Sequence, residues 1–316
     1  VGIDVIGGKL VEVNVMSPGG ITYINKVYKS KVKVEERVID FLESKVLDKL
    51  QAFDRRSRLR KTVEEAWFTL VSVYKETMSE LIIKDSVVSV DWLHSNLEAS
   101  NLIILDASIP KVGKEDVPDL GELHIAKTIF FDLKNKFSDT NGKFPNTCPS
   151  EKQFTKAAQE LGVNKNSAIV IYDSNGIYSS ARAWWLFKTF GHNNVAVLSG
   201  GLPEWKQKDL PLEKKQNHKI ENDGNFIARY QKGFVLSFED IIAIENDSKF
   251  TILDARSENR FIGRVEEPRK GLRSGRIPNS LNLPFDNLLQ KGNLLSKDEL
   301  IILFNNATQN KENLVF

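Results

Sequence analysis

The chain has 316 residues, 41% of them apolar, enough for two or three domains with sizeable cores. Its formal net charge of +2 is too small to point to a nucleic-acid binder. There is no run of 18 apolar residues and no basic head with a cleavage site, and the single cysteine, Cys148, leaves no internal disulfide; a cytoplasmic protein without a membrane partner is expected.

Residues 1–48 read as short alternating strands, a turn at "SPGG" and a helix from near Val34. Glu12 and Asn14 stand two apart on a strand and therefore share a face. Residues 49–85 form a charged helical linker. Its run "RRSRLRK" lacks interleaved aromatics and reads as a solvated helix face.

From residue 86 strands and helices alternate, the pattern of parallel α/β layers. This region repeats itself. "SVDWLHSNLEASNLIILDAS" (89–108) pairs with "SFEDIIAIENDSKFTILDAR" (237–256), and "LHIAKTIFFDL" (123–133) with "GRIPNSLNLPFDNL" (275–288). "SEKQFTKAAQELGVNKNSAIVIYD" (150–173) pairs with "SKDELIILFNNATQNKENLVF" (296–316). Two copies of one α/β domain are expected, at 86–212 and 234–316, joined by a polar linker at 213–233. The second copy is expected to be incomplete, since its last strand coincides with the end of the chain.

Three places carry candidate chemistry. Five of the fifteen residues in "NRFIGRVEEPRKGLR" (259–273) are basic. They form either a surface set paired with Glu258, Glu266 and Glu267, or a built anion site, where the planar guanidinium fork suits a carboxylate. The second place, "VIYDSNGIYSSARAWW", runs from a strand ending at Asp173 through a short loop to a helix near Ser179. Trp184 and Trp185 are expected to bury a face of that helix. The third is Cys148, in "FPNTCPSEKQF" before a helix capped by Ser150; it reads as a small loop residue. The histidines, His94, His124, His192 and His218, show no metal-ligand spacing.

"YDSNGIYSSARAWWLFKTFGHNNVAVLSGGLPEWKQKDLP" (172–211), "ILDARSENRFIGRVEEPRKG" (252–271) and "GRIPNSLNLPF" (275–285) together resemble the tandem-domain rhodanese family, the thiosulfate and 3-mercaptopyruvate sulfurtransferases. The resemblance covers about 87–316. It implies two rhodanese-like domains of parallel sheets flanked by helices, the first catalytically silent. It also implies sulfur transfer from 3-mercaptopyruvate or thiosulfate to cyanide or a thiol, through a cysteine persulfide and without a cofactor. A thiolate nucleophile is favoured by a loop of backbone N–H groups opening a helix. In the first domain Asp173 occupies the nucleophile's position, with Ser174, Asn175 and Gly176 as the silent loop. The register of the repeats places the expected cysteine just beyond Phe316, so this chain alone is expected to be inactive. Arg260 and Arg269 match the family's substrate-binding arginines, and retention of Arg269 leans towards 3-mercaptopyruvate. Arg276 stands where the family has histidine, Lys127 and Asn279 where it has glycine, and Lys134 and Asn146 where some members have an Asp–His relay. The expected partners are a small-molecule sulfur donor and acceptor, with a thioredoxin-like thiol as a candidate, and a monomer is expected.

"VGIDVIGGKLVEVNVMSPGGI" is similar to the C-terminal end of bacterial glutathione synthetase, an ATP-grasp ligase. That resemblance implies an Mg²⁺ site at Asp4, Glu12 and Asn14, and ATP, if the segment belongs to a complete ligase. A ligase fragment, or a non-catalytic binding module, is therefore the alternative function.

Overall fold

The computed structural model describes residues 80–110, 123–142, 146–214, 223–268, 271–308 and 314–315, together with the backbone of 2–6 and 9–14. The helix expected from Val34, the run "RRSRLRK", Arg269 and His218 lie outside the described residues. The chain divides into two units, 1–80 and 81–316. In the first, β1 (Gly2–Ile6) and β2 (Lys9–Asn14) form an antiparallel pair with Asp4 opposite Glu12 and Gly2 opposite Asn14.

The second unit begins with β3 (Val87–Val88), α1 (Val90–Ser95), β4 (Leu102–Asp106), β5 (Leu123–Ile125) and β6 (Thr128–Phe130). It continues through α2 (Glu151–Glu160), β7 (Ala168–Tyr172), α3 (Ser180–Thr189), β8 (Val195–Leu198), α4 (Gly201–Gln207) and β9 (Leu212–Lys214). The order β3-β8-β7-β4-β6 makes a five-stranded parallel sheet. Alternation sorts β7 between two cores, because successive side chains point to opposite faces. Ile169 and Ile171 meet Phe154, Leu186 and Phe187 of α2 and α3. Ala168, Val170 and Tyr172 meet Leu93 of α1 and Leu202 and Trp205 of α4. A strand buried on both faces must be apolar throughout, which is why "AIVIY" shows no polar alternation.

The second half holds α5 (Phe238–Ile244), β10 (Thr251–Asp254), α6 (Glu258–Phe261), β11 (Leu281–Asn282), the hairpin β12 (Leu289–Gln290) and β13 (Asn293–Leu294), α7 (Lys297–Thr308) and β14 (Leu314–Val315). β10 lies between β11 and β14, all parallel, as β4 lies between β6 and β7. The turns that enter β6 and β11 also correspond. Lys127 (φ 61°) and Asn279 (φ 58°) both take the left-handed conformation that favours glycine. Each is tied to the end of the first helix of its half, Lys127 through Leu97 O and Glu98, and Asn279 through Glu245 O and Asn246. The residues that replace glycine therefore keep its backbone shape.

Three expectations are corrected. Residues 81–85 are not linker: Leu81 N and Ile83 N donate to Asn101 and Asn194 at 2.8 and 2.7 Å, and Ile83 is buried. Nor are 223–233 a free polar connection. Phe226 and Ala228 are buried against α2 and α3, and Arg229 N donates to Phe190 O at 3.0 Å. Trp184 and Trp185 are only half-buried, and the buried face of α3 is Ala183, Leu186 and Phe187. The two indoles instead donate to Val195 O and to Phe234 O.

Candidate functional site

The loop after β7 is held by one carboxylate. Asp173 is fully buried and accepts from Asn175 N (2.8 Å), Tyr178 N (2.8 Å), Ser180 N (2.9 Å) and Ser180 Oγ (2.7 Å). Loop N–H groups and the N-terminus of α3 thus converge on an anion, and the anion is the chain's own. Ser108 Oγ accepts from Ser174 N at 2.8 Å and donates to Asp106, tying the loop to the end of β4. Ser174 Oγ and Asn175 Nδ2 are buried and make no hydrogen bond among the described residues, where the backbone N–H groups of these residues make the loop's bonds. Gly176 (φ 100°) lies against the hairpin of the second half, where an added Cβ would stand 2.7 Å from the backbone of Gly292. Asn293 of the same hairpin accepts from Ser199 Oγ at 2.8 Å. The cradle of this loop is thus filled by Asp173, and Gly176 is in contact with the 289–294 hairpin.

The equivalent corner of the second half is built from arginine. Asp254 ends β10 as Asp106 ends β4, and each accepts from the N–H two residues on, Arg256 N at 2.9 Å and Ser108 N at 3.0 Å. The side chains then diverge. Arg256 donates through Nε and Nη2 to Asp254, through Nη2 to Gly275 O (2.8 Å) and through Nη1 to Glu267 (2.9 Å). Arg260, on the four-residue α6, donates through Nε (3.2 Å) and Nη2 (2.5 Å) to the same Glu267. The Glu267 side chain is only 5% exposed, while that of Arg260 is 32% exposed. Hydrogen bonding to Arg260, with the charge of both arginines, holds the Glu267 carboxyl below its ordinary range against the opposing effect of burial. Burial raises Asp254, but its bonds to Arg256 outweigh this and lower it.

Of the two sequence alternatives, the structure shows part of the first, the pairing with acidic neighbours. Arg260 does pair with an acidic neighbour, Glu267, whereas Glu258 and Glu266 form no ion pair among the described residues. The pairing occupies one edge of the guanidinium; Nη1 of Arg260 has no hydrogen-bond partner among the described residues. Arg256 was not singled out from sequence, although "LDAR" places it at the same turn as Ser108. Beside it, Asp254, Arg256, Arg273 and Gly275 help to line a cleft of about 1080 Å³ whose apolar wall is Phe238, Ile241 and Ile242.

Cys148 belongs to neither corner's hydrogen-bond network among the described residues. It packs half-buried against the first core, where burial raises its thiol and the smaller influence of Arg182 lowers it. A protonated thiol is a poor nucleophile, which agrees with a structural role. In the first unit, the register sets Asp4 across from Glu12, and Asn14 stands two residues along the same strand, so the backbone is compatible with an oxygen-ligand set.

The rhodanese-like domain family matches residues 89–208, and the ATP-grasp domain of prokaryotic glutathione synthetase matches residues 1–29. The 3-mercaptopyruvate sulfurtransferase of Escherichia coli (strain K12) is 36% identical over 220 residues, covering 69% of this chain and 77% of that protein. The human 3-mercaptopyruvate sulfurtransferase is 35% identical over 228 residues, covering 69% and 76%. The crystal structure of the Escherichia coli enzyme SseA superposes with a TM-score of 0.64 at 32% identity, over 71% of this chain and 84% of that one. With two corresponding sheets, matched turns and this degree of identity, the chain belongs to the rhodanese family of sulfurtransferases.

Proposed function

We propose that the second half receives a 3-mercaptopyruvate-type donor and that Arg260, with Arg269, orients its carboxylate. The carrying observation is the Arg260 guanidinium, held on one edge by the little-exposed Glu267 carboxylate and with Nη1 unpartnered among the described residues. A clamped fork loses little freedom on binding an anion. The sulfur acceptor of the first step is a thiolate in the loop that follows β14. Strand pairing supports this register, because Val315 faces Ile252 as Val170 faces Ile104. Asp173 follows Val170 by three positions, so the nucleophile's place is three residues past Val315. The thiolate attacks the donor sulfur, the C–S bond breaks, and the pyruvate enolate leaves to take a proton. The resulting persulfide passes its outer sulfur to cyanide or a thiol, a thioredoxin-like protein among the candidates, in a cytoplasmic monomer that uses no cofactor.

The test is thiocyanate formation from 3-mercaptopyruvate and cyanide. The chain 1–316 should be inactive, and a protein carrying the loop beyond β14 should be active. In that protein Arg269→Ala should cost about 1.5–3 kcal/mol in transition-state stabilisation with 3-mercaptopyruvate and less with thiosulfate. Turnover by 1–316 that vanishes in Cys148→Ser, or equal losses on both donors, would contradict the reading.

The match at 1–29 favours a second, separate reading for the N-terminal unit. Asp4, Glu12 and Asn14 would be oxygen ligands for Mg²⁺ beside ATP, binding the metal weakly alone because Mg²⁺ sheds water reluctantly. Tight ATP-dependent Mg²⁺ binding in calorimetry, lost in Glu12→Ala, would make the ligase reading the main one.

A further inference from the structure

We infer that Glu267 is the positioning residue for Arg260, and that Arg256 holds Glu267 in place; this rests on the proposal that Arg260 meets the donor's carboxylate. Two opposite roles are open to a carboxylate on a binding arginine. It can compete with the substrate for the guanidinium, or it can orient the guanidinium for the substrate. The geometry points to the second.

A competitor would occupy the exposed edge and swing away when a ligand arrives. Glu267 does neither. It takes Nε and Nη2 of Arg260, and its side chain is only 5% exposed. It is also anchored from behind, because Oε1 accepts from Arg256 Nη1 at 2.9 Å. Arg256 is anchored in turn by the Asp254 carboxylate at the end of β10 and by Gly275 O. A chain of fixed groups runs from the central strand of the sheet through Arg256 and Glu267 to Arg260. Its charges sum to zero: Asp254 and Glu267 balance Arg256 and Arg260. The network is therefore stable without a ligand, and Arg260 Nη1 is presented in a set plane. Removing the charge of Glu267 would free Arg260 to rotate and leave two arginines facing a neutral group.

The network is also specific to this half. At the corresponding turn of the first half Ser108 replaces Arg256 and reaches a loop N–H instead of a carboxylate. Only the half with the arginine at this turn has a guanidinium to orient.

The probe is pyruvate, which carries the carboxylate and keto oxygen without a transferable sulfur. Its affinity for the full chain is measured by NMR titration, with circular dichroism confirming that each variant is folded. Exchange of the Arg260 Nε–H is read in parallel, since a purely structural role for Glu267 would leave ligand affinity and this proton's protection uncoupled. Arg260→Ala, Glu267→Gln and Arg256→Lys should each raise the pyruvate Kd about ten-fold or more, the loss expected for one charged contact. In Glu267→Gln and Arg256→Lys the Arg260 Nε–H should also lose its protection. If Arg260→Ala weakens pyruvate while Glu267→Gln leaves affinity unchanged or tightens it, Glu267 is a bystander or a competitor, and the inference fails while the proposed function stands. If Arg260→Ala leaves affinity unchanged, the carboxylate reading itself fails, and the inference with it.

Discussion

The two halves of the second unit turn the chain in the same way after their central strands and then do opposite things with the turn. In the first, Asp106 and Ser108 feed a loop whose N–H groups are filled by the buried carboxylate of Asp173. In the second, Asp254 and Arg256 hold a partly buried glutamate, Glu267, that pairs with Arg260. One corner satisfies its own anion; the other is charge-balanced yet leaves Arg260 Nη1 without a partner among the described residues. On the proposed function, one copy supports the fold and the other meets a ligand, and the contrast at the turn is carried by Ser108 in one half and Arg256 in the other.

If the first corner is purely structural, breaking it should cost stability and not ligand affinity. Asp173→Ala leaves three backbone N–H groups and a hydroxyl without their acceptor in a buried loop. It should destabilise the protein by about 3 kcal/mol or more, read from urea unfolding, with pyruvate affinity retained in the folded fraction. Gly176→Ala should cost less, about 1–3 kcal/mol, from the positive φ and the approach to Gly292. Its losses should appear in hydrogen exchange on both the 173–180 loop and the 289–294 hairpin, because the two are in contact.

Acid should separate the halves more gently. Burial lowers the basicity of His192, whose Nε2 lies 2.8 Å from Ser167 O in the first half, against the smaller raising effect of that hydrogen bond. A histidine whose folded pKa is depressed takes up its proton more readily when unfolded. Stability therefore falls as pH drops below the unfolded value of about 6.5. Glu267 is a depressed carboxyl, so its contribution persists until pH falls below the unfolded glutamate value of about 4.3, and is then lost. Hydrogen exchange between pH 7 and 5 should show the first half loosening while residues 254–267 stay protected, and His192→Gln should flatten that slope. Loosening of 254–267 in that interval would contradict the assignment.

Much of the fold was legible because repetition is a strong signal. Ser150 caps α2 as expected, Ser89 and Ser237 cap the helices that open the repeated segments, and the strand equivalences follow the repeated "LDA". The boundaries were not legible. Polar composition hid the alternation of Phe226 and Ala228, which buries the 223–233 strap, and the charged residues Lys84 and Asp85 hid the anchoring of Leu81 and Ile83. The size of Trp184 and Trp185 drew attention from the helical spacing of Ala183, Leu186 and Phe187, which decides the buried face. At the site, Arg260 was visible from its motif. The choice of Glu267 over Glu258 and Glu266 was not, since it depends on a loop closing back across seven residues.

The most direct test maps pyruvate onto the backbone amides of the labelled chain. The account expects shifts confined to residues 254–267 and their neighbours across the cleft, absent in Arg260→Ala, with 173–180 silent throughout. Shifts centred on 173–180, or shifts at 254–267 that survive Arg260→Ala, would contradict the assignment of the two corners.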